Sequence, residues 1–270
     1  MNIELSVIIV NYNGLKYLKE CFDSLLDKFK NISFEIIVID NNSSDGSCAY
    51  IKKHYSNIVL IESKDNLGFG KGNNEAVKKA RGNYLLLINN DTIVLDKLEP
   101  VLDFLKADYK IGVIGINMLD SDRNYIPAAG NFPNPRNMFQ LKRLLDKGKE
   151  FKTGHFSKQS YEVDWLGGAF LLLPKKVYLE IDGFDEDYFM YVEDVDFCKK
   201  IADKGYKRLF LPNYNYIHFV GFNNTRKPLL IKGYEVYISK HLKGLKFIFS
   251  FLALKFNKGV KKIKKALKPY

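Results

Sequence analysis

The chain has 270 residues, 46% of them hydrophobic and 27% charged, which is ordinary for a globular protein long enough to bury a substantial core. Three scattered cysteines without a CxxC pair argue against a disulfide framework and a structural zinc site, and they fit a reducing compartment. The net charge of +11 is confined to the end, since residues 240–270 hold ten lysines and no acid, and this excludes the distributed basic surface of a nucleic-acid-binding protein.

Apolar segments alternate with helical periodicity over the first 120 residues. No signal peptide is predicted, because the chain enters its first apolar segment without a charged region and a small-residue cleavage site. Helical stripes of apolar residues begin at Leu15 and at Leu98. This alternation is typical of a mostly parallel sheet covered by helices on both faces, so the predicted fold class is α/β. The apolar segments cover residues 5–10, 34–39, 58–61, 84–88 and 111–116.

Polar residues follow the first two predicted strands. Asn11 and Tyr12 come directly after the first strand, and Asp40 and Asn41 come after the second. Ligands of open α/β sheets bind at the carboxyl ends of the strands, where Tyr12 offers a face for stacking on a base. The same residue types also favour plain turns and helix caps, so both interpretations stay open on these motifs alone.

A glycine-rich segment, DNLGFGKGNNEA, covers residues 65–76. Its glycines do not have the spacing of a dinucleotide fingerprint, and it contains no P-loop. We expect a turn around Asn66 and Gly68 that leads into a helix at Asn73, whose free N–H groups suit an anion.

The strand at 84–88 ends in Asn89, Asn90 and Asp91, with no lysine or arginine beside them. A turn would explain these residues, since Asn and Asp favour turns. Asn90 and Asp91 would also supply the hard oxygen ligands of Mg²⁺ or Mn²⁺, ions that commonly hold substrate phosphates as well.

Regular patterns stop between residues 121 and 160, where we expect a long loop with one short helix. A helix is predicted to begin near Glu193, and it places Asp194 on the same face as apolar residues at i+3, i+4 and i+7. A carboxylate on an apolar face is costly unless it is used or paired, so Asp194 is a candidate general base. The alternative is a structural role, in which acids of the first turn stabilise the helix dipole. Glu193 and Asp196 fit this alternative especially well.

Taken in order, these segments resemble the inverting glycosyltransferases of family 2, which have the GT-A fold, with a Rossmann-like nucleotide-binding sheet. The resemblance extends over residues 4–222 and is greatest to rhamnosyltransferase-like members that build cell-surface polysaccharides. It rests on SVIIVNYNG, VIDNNSSDGS, NLGFGKGNN, LLLINNDT, VDWLGGAFLLLP, GFDEDYFMYVEDVDFC and IHFVG.

The resemblance implies a nucleotide-sugar donor and a divalent cation, Mn²⁺ or Mg²⁺. The DxD motif of the family falls on residues 89–91, where Asp91 keeps the usual metal contact and Asn89 replaces the first acid. A histidine after the last core strand often completes the metal site, so the predicted metal ligands are Asp91 and His218. The residues expected to bind the donor are Asn11, Tyr12, Asp40, Asn41, Asn66, Gly68, Asn90, Asp91 and Gly168.

Catalysis is assigned by resemblance to the acidic pair Glu193–Asp194, with Asp194 as the base that deprotonates an acceptor hydroxyl in a single displacement. The resemblance also implies a small-residue wall at 167–169 beside the donor sugar and acceptor. Asp164 and Trp165 are expected on the acceptor side, and Arg226 is a candidate clamp for the diphosphate. The expected acceptor is a glycan or a lipid-linked glycan.

We expect a GT-A catalytic domain at residues 1–235, with a nucleotide-sugar-binding half at 1–120 and an acceptor-binding half at 121–235. Residues 236–270 are predicted to form a basic amphipathic tail. The apolar run from Phe247 to Leu254 is far shorter than the roughly 20 residues that span a bilayer, so the tail is expected to lie on an anionic membrane surface. A cytoplasmic protein, peripheral at the inner face of the membrane, is therefore predicted. The alternative is a helix packed back on the catalytic domain.

Two other functions are alternatives to sugar transfer. A sugar-nucleotide pyrophosphorylase needs a glycine-rich, arginine-containing loop after the first strand, and NYNGLKYLKE is not one. A non-catalytic module that binds nucleotide sugars or glycans is compatible with Asn89, but the intact Glu193–Asp194 pair favours an enzyme.

Overall fold

The computed structural model describes residues 3–219 and 226–266, with the side chains of 226, 227 and 258–266 excepted. The strands are β1 (Leu5–Asn11), β2 (Phe34–Asp40), β3 (Val59–Glu62), β4 (Tyr84–Ile88), β5 (Thr92–Val94), β6 (Ile111–Leu119), β7 (Tyr125–Ile126), β8 (Ala129–Gly130), β9 (Tyr161–Glu162), β10 (Trp165–Leu166), β11 (Phe170–Pro174) and β12 (Lys207–His218).

The helices cover the connections between these strands and the end of the chain. They are α1 (Leu15–Lys28), α2 (Ser47–His54), α3 (Phe69–Val77), α4 (Glu99–Ala107), α5 (Pro135–Met138), α6 (Lys149–Thr153), α7 (Lys175–Glu180), α8 (Glu193–Asp203), α9 (Arg226–His241) and α10 (Gly244–Ala266), with a 3₁₀ helix at Leu141–Leu145. The predicted strands and the helices at Leu15, Leu98 and Glu193 are all confirmed.

One sheet carries most of the strands, in the order β3-β2-β1-β4-β11-β6-β12-β5, with β7 paired to β6 and β9 paired to β12. Its first half is parallel, whereas β11 runs antiparallel between β4 and β6. The chain crosses from β3 back to β4 on the other side of β1, which creates a switch point between β1 and β4. Open α/β sheets bind their ligands outside the carboxyl ends of the strands at such a point.

The sheet is buried on both faces, as its apolar strands require. Successive residues of a strand point to opposite faces, and those of β1 divide accordingly: Ile8 belongs to one hydrophobic cluster, while Val7 and Ile9 belong to the other. Helices α1 and α4 pack on the second cluster, and α3, α7 and α8 pack on the first. The predicted α/β class is confirmed.

The segment 121–160 contains more regular structure than the sequence predicts. Besides the short helix α5, it forms β7, β8, the 3₁₀ helix and α6. Helix α5 begins with Pro135 and a capping box in which the side chains of Asn134 and Asn137 satisfy each other's backbone N–H groups. These elements are too short to show periodicity, which is why the pattern there resembles a loop.

Helix α3 begins at Phe69 and not at Asn73, so that part of the prediction is wrong. Gly70 and Gly72 lie inside the helix because their neighbours approach closely. A Cβ on Gly70 would lie 3.0 Å from the Cβ of Phe184, and one on Gly72 would lie 3.1 Å from Cγ1 of Val10. The glycines permit close packing of the helix, which the turn interpretation did not consider.

The C-terminal part forms two helices on the body of the protein. Helix α9 runs across the domain boundary expected at residue 235, and its Tyr237 and Ile238 are buried in the same cluster as Ala253 and Leu254 of α10. One face of the C-terminal region is thus packed back on the body of the protein. No helix in the described part of the chain has the length and apolar character needed to cross a bilayer.

Candidate active site

The carboxyl ends of β1, β2 and β4 are tied together by side-chain hydrogen bonds. Asn11 and Asp40 are paired in the register of β1 and β2, and Nδ2 of Asn11 donates to Oδ2 of Asp40 over 2.7 Å. Nδ2 of Asn90 donates to Oδ1 of Asn11 over 2.6 Å. Asn11 and Asp40 are fully buried, so this network positions the two turns after β1 and β2 against the end of β4.

A second network holds the turn before α3. Oδ1 of Asn66 accepts the N–H of Gly68 at 3.0 Å, and Nδ2 of Asn41 donates to the carbonyl oxygen of Gly68 at 3.0 Å. Gly68 has φ +78°, and a Cβ there would lie 2.3 Å from the carbonyl oxygen of Phe189. The position therefore requires glycine for its left-handed conformation and for its close approach to the segment before α8.

Two groups on this side remain available to a ligand. The ring of Tyr12 is 51% exposed at the end of β1. Oδ1 of Asn41 is buried and accepts no hydrogen bond from the described residues. Buried polar atoms are normally satisfied, so this oxygen marks a place where a donor group of a ligand would fit.

A cavity of about 550 Å³ lies beside these networks. It brings together the predicted metal ligands, the acidic pair at the start of α8 and the small residues after β10. The predicted donor residues Asn11, Tyr12, Asp40, Asn41, Asn66, Gly68 and Asn90 do not line it. Those that do line it are Asn89, Asp91, Trp165, Gly167, Gly168, Ala169, Glu193, Asp194 and His218, among others.

Asp91 and His218 come together because β5 pairs with β12 next to them. The pairing joins Thr92 to His218, and the backbone N–H of Phe219 donates to the carbonyl oxygen of Asp91 over 3.0 Å. Nε2 of His218 then lies 3.1 Å from Oδ1 of Asp91 and 3.2 Å from Nδ2 of Asn89. A carboxylate, an imidazole and an amide thus converge at the cavity wall.

These groups fit a divalent cation as a partial ligand set. Oδ1 of Asp91 is buried and accepts no hydrogen bond from the described residues, although His218 lies beside it. Across residues 3–219 and 226–266, no three His, Cys, Asp or Glu side chains are grouped as a complete metal site. A two-residue site suits an ion such as Mg²⁺, which is usually held by one or two carboxylates together with substrate phosphates and water.

Asp194 is held at the first turn of α8. Its Oδ2 accepts the backbone N–H of Gly168 at 3.0 Å, and its Oδ1 accepts the N–H of Val195 at 2.9 Å. Burial raises the pKa of Asp194 above its ordinary value, while these two N–H groups lower it again. The carboxylate is thus stabilised as an anion, but it is more basic than an exposed aspartate.

Glu193 is buried next to Asp194 and is less well supported. Burial and the negative charge of Asp194 raise the pKa of Glu193, and its Oε2 has no hydrogen-bond partner among the described residues. Two adjacent buried carboxyls titrate as a pair. Since Asp194 accepts the two backbone hydrogen bonds, we assign the shared negative charge to Asp194 and the proton to Glu193.

The backbone immediately before this pair adopts an unusual conformation. Tyr191 and Val192 have φ of 70° and 75°, and a β-branched residue such as Val192 rarely has a positive φ. Helix α9 packs against this bend: a Cβ on Gly233 would lie 2.6 Å from the carbonyl oxygen of Tyr191. Backbone strain of this kind persists when the surroundings enforce it, and it is frequent at functional sites.

Gly168 lies between Asp194 and the glycine-rich helix α3. A Cβ there would lie 3.2 Å from Cε1 of Phe69 and 3.5 Å from the Cβ of Asp194.

Trp165 lines the cavity, whereas Asp164 does not and accepts the N–H of Phe132 at 2.8 Å. Arg226 is the first residue of α9, and its side chain lies outside what the structure describes.

Several residues of the site were missed by sequence reasoning. Gly14 packs on the polar network, since a Cβ there would lie 2.0 Å from Nδ2 of Asn90. Leu230 and Tyr234 of α9 line the cavity together with Met190. The glycine after NYN is a local signal for position 14, but no local pattern links α9 to a cavity formed by residues so distant in the chain.

A family model described as "Glycosyl transferase family 2" matches residues 6–166, which is more than half of the chain. The chain belongs to glycosyltransferase family 2. Relatives of this family 2 protein include rhamnosyltransferase WbbL of Escherichia coli (strain K12), 27% identical over 81% of this chain and 84% of WbbL. An N-acetylglucosaminyl-diphospho-decaprenol L-rhamnosyltransferase of Mycobacterium tuberculosis is 24% identical over 83% of this chain and 78% of that protein. The predicted rhamnosyltransferase-like resemblance is confirmed.

Solved structures confirm the GT-A fold of this family 2 protein. The mannosyltransferase PcManGT from Pyrobaculum calidifontis, in complex with GDP-Man and Mn²⁺, has a TM-score of 0.64 at 16% identity. The match covers all of this chain and 77% of the mannosyltransferase chain. GalNAc-T7 with UDP, GalNAc and Mn²⁺ has a TM-score of 0.67 at 17% identity, covering 99% of this chain and 58% of its own. Glycosyltransferase activity is supported by the family and its relatives.

Proposed function

We propose that this protein transfers a sugar, with inversion, from a dTDP- or UDP-linked nucleotide-diphospho-sugar to a hydroxyl group of a glycan or lipid-linked acceptor. The observation that carries the proposal is the shared cavity, which is lined by Asp194 as well as by Asp91 and His218. The rhamnosyltransferase names of two relatives support a role in cell-surface polysaccharide synthesis, and the diphospho-decaprenol in one name supports a lipid-linked acceptor.

Asp194 is the proposed general base. Its carboxylate takes the proton of the acceptor hydroxyl, and the hydroxyl oxygen forms a bond to the anomeric carbon on the face opposite the diphosphate. The bond from that carbon to the diphosphate breaks, and a nucleoside diphosphate leaves with the electron pair. One displacement inverts the anomeric configuration. The raised pKa of Asp194 suits this role, because a base is most effective when its pKa approaches the working pH.

Asp91 and His218 are the proposed ligands of a divalent cation. The GalNAc-T7 and PcManGT structures both contain Mn²⁺, which supports a cation of this kind. When bound there, the cation supplies positive charge against the charge that develops on the diphosphate. Tyr12 is proposed to stack on the base of the nucleotide, with Asp40, Asn41 and the turn around Gly68 forming the donor side.

We also propose a cytoplasmic protein that is peripheral at the inner face of the membrane. Its catalytic domain would include the whole of α9, so the tail would begin after His241 and not at residue 236. A non-catalytic nucleotide-sugar-binding module is the second candidate, favoured by Asn89 in place of an acid. It would use the same donor side without proton transfer at Asp194.

The test is a panel of UDP- and dTDP-linked sugars, screened first by thermal shift with and without Mn²⁺. Donors that stabilise the protein are then incubated with glycan acceptors while nucleoside diphosphate release is measured, and the anomeric configuration of the product is read by NMR. Transfer with inversion supports the proposal. A stabilising donor that remains intact with every acceptor, and in water alone, supports the binding module.

A further inference from the structure

Helix α10 presents two different faces. Ser250, Ala253, Leu254 and Asn257 are buried against the body of the protein. The opposite face exposes large apolar side chains, each between 48% and 71% exposed. At 3.6 residues per turn these side chains fall within an arc of about 100°. We call this set the apolar arc: Leu245, Ile248, Phe249, Leu252 and Phe256.

The apolar arc continues onto the segment 121–160. Nδ2 of Asn257 donates to the carbonyl oxygens of Met138 at 3.3 Å and Phe139 at 2.8 Å, which attaches α10 to the end of α5. The ring of Phe139 is itself 53% exposed and lies 6.0 Å from the ring of Phe256. The exposed apolar surface is therefore built from two parts of the chain that lie more than a hundred residues apart in sequence.

A basic groove adjoins Phe139. It has a volume of about 380 Å³ and is lined by Lys142, Arg143 and Lys152, with Asp146 as the acid in its lining. Lys152 is paired with Asp146 at 2.9 Å, which leaves the groove with a net positive charge. Pro127 lines both this groove and the catalytic cavity, so the groove borders that cavity as well as the segment that carries Phe139.

The charge around the apolar arc has one sign. Lys246 and Lys255 are exposed and flank the arc on its two sides, and residues 240–270 contain ten lysines and no acid. Apolar side chains bordered by lysines are the pattern of a helix that lies in the interface of an anionic bilayer. Two copies of this protein facing each other through the arc would instead bring two lysine-rich ends together.

We propose that the apolar arc, Phe139 and the basic groove form one membrane-docking surface for anionic phospholipids. The arc and Phe139 enter the boundary of the acyl chains, and the groove lies at the level of the phosphates. The surface would hold the Pro127 side of the catalytic cavity towards the bilayer. This inference rests on the proposed function, because a lipid-linked acceptor would require the protein to work at a membrane. Its test does not measure sugar transfer.

The experiment is co-sedimentation of the full chain with vesicles of phosphatidylcholine alone and of phosphatidylcholine mixed with phosphatidylglycerol. The test variant replaces Phe249, Leu252 and Phe256 by Ser. Its matched control replaces Leu26, Tyr109 and Leu179, which are exposed elsewhere on the body, by Ser. A further variant, Lys142→Gln with Arg143→Gln, tests the groove, and Phe139→Ser tests the contribution of 121–160.

We expect the wild-type chain to bind the anionic vesicles, and less so at high salt. The apolar-arc variant should lose at least about tenfold in binding, while the control variant binds as the wild type does. Phe139→Ser and the groove variant should each weaken binding by a smaller factor. Asp194→Asn should bind vesicles normally, so that failure of the proposed chemistry is separable from failure of docking.

Equal vesicle binding by the apolar-arc and control variants would overturn the proposal. So would sedimentation of the wild type as a dimer that only the apolar-arc variant converts to a monomer, because a second copy would then cover the arc. Circular dichroism and the midpoint of thermal unfolding serve as folding controls. Both should be unchanged, since the arc residues are exposed and lie outside the catalytic cavity.

Discussion

The backbone N–H of Gly168 donates a 3.0 Å hydrogen bond to Oδ2 of Asp194. This bond joins the small-residue wall after β10 to the first turn of α8, and it orients a carboxylate that would otherwise be costly to bury. It also distinguishes Asp194 from Glu193, which has a buried oxygen with no hydrogen-bond partner among the described residues. The roles of the two acids can therefore be separated by matched substitutions.

Asp194→Asn is expected to lower kcat by about 10²–10⁴-fold, because the amide cannot accept the proton of the acceptor hydroxyl. Glu193→Gln is the matched comparison and should keep turnover near that of the wild type at neutral pH, since Gln imitates a protonated Glu. Steady-state kinetics and donor binding by calorimetry check both variants, and donor affinity should change little in either. Greater damage from Glu193→Gln than from Asp194→Asn would place the base at Glu193.

Stability should depend on pH through Glu193. Its pKa is raised in the folded protein from an ordinary value of 4.5. Above that pH the folded state keeps a proton that the unfolded state has lost, so the free energy of unfolding falls as pH rises, by at most about 1.4 kcal/mol per pH unit. Urea denaturation of the wild type and Glu193→Gln between about pH 5 and pH 8 measures this. If Glu193 titrates normally, the free energies of unfolding of the two proteins should have the same dependence on pH in this range.

Asp91→Asn is expected to weaken Mn²⁺-dependent binding of the donor nucleotide by at least about tenfold, since even outer partners of a metal site contribute roughly 10–100-fold. Calorimetric titration with UDP or dTDP, with and without Mn²⁺, is the measurement. Asp103→Asn is the control, because that carboxylate is 73% exposed and lies outside the cavity. Equal losses in the presence and absence of Mn²⁺ would show that Asp91 contributes to the donor site without a metal.

Asn89→Asp restores the acid that the family motif has at this position. Its carboxylate would lie near Asp91 and His218, so we expect a lower Tm without metal, caused by repulsion between the two carboxylates. With Mn²⁺ the Tm should rise by more than it does in the wild type, because a third ligand strengthens the site. Thermal shift over a Mn²⁺ titration checks both signs. An unchanged metal response would mean that residue 89 does not face the ion.

Gly168→Ala should lower kcat by about tenfold while the protein stays folded. The added methyl group lies 3.2 Å from Cε1 of Phe69 and 3.5 Å from the Cβ of Asp194, so a small shift of the ring or of the backbone at residue 168 is needed. Small misplacements at a reacting centre are costly. Gly167→Ala adds the same methyl group to the cavity, but its nearest neighbour is 3.5 Å away. Equal effects of the two variants would indicate simple loss of cavity volume.

Much of the fold follows from local sequence. The apolar strands and the helices at Leu15, Leu98 and Glu193 are periodic over enough residues to be recognised. The start of α3 was misjudged because Gly70 and Gly72 resemble a turn, although they serve close packing inside a helix. The short elements of 121–160 were missed for lack of length, and their contacts are long-range.

The sequence by itself determined the family, the α/β class and the chemistry available at the ends of the strands. It also determined that Asp194 occupies an apolar helix face, since a helix repeats every 3.6 residues whatever surrounds it. Only the tertiary structure decided that Asp194 shares a cavity with Asp91 and His218, and that α9 lines this cavity. It also decided that Oε2 of Glu193 is buried without a hydrogen-bond partner among the described residues. Burial and convergence depend on which distant segments pack together, and no local pattern of residues contains that information.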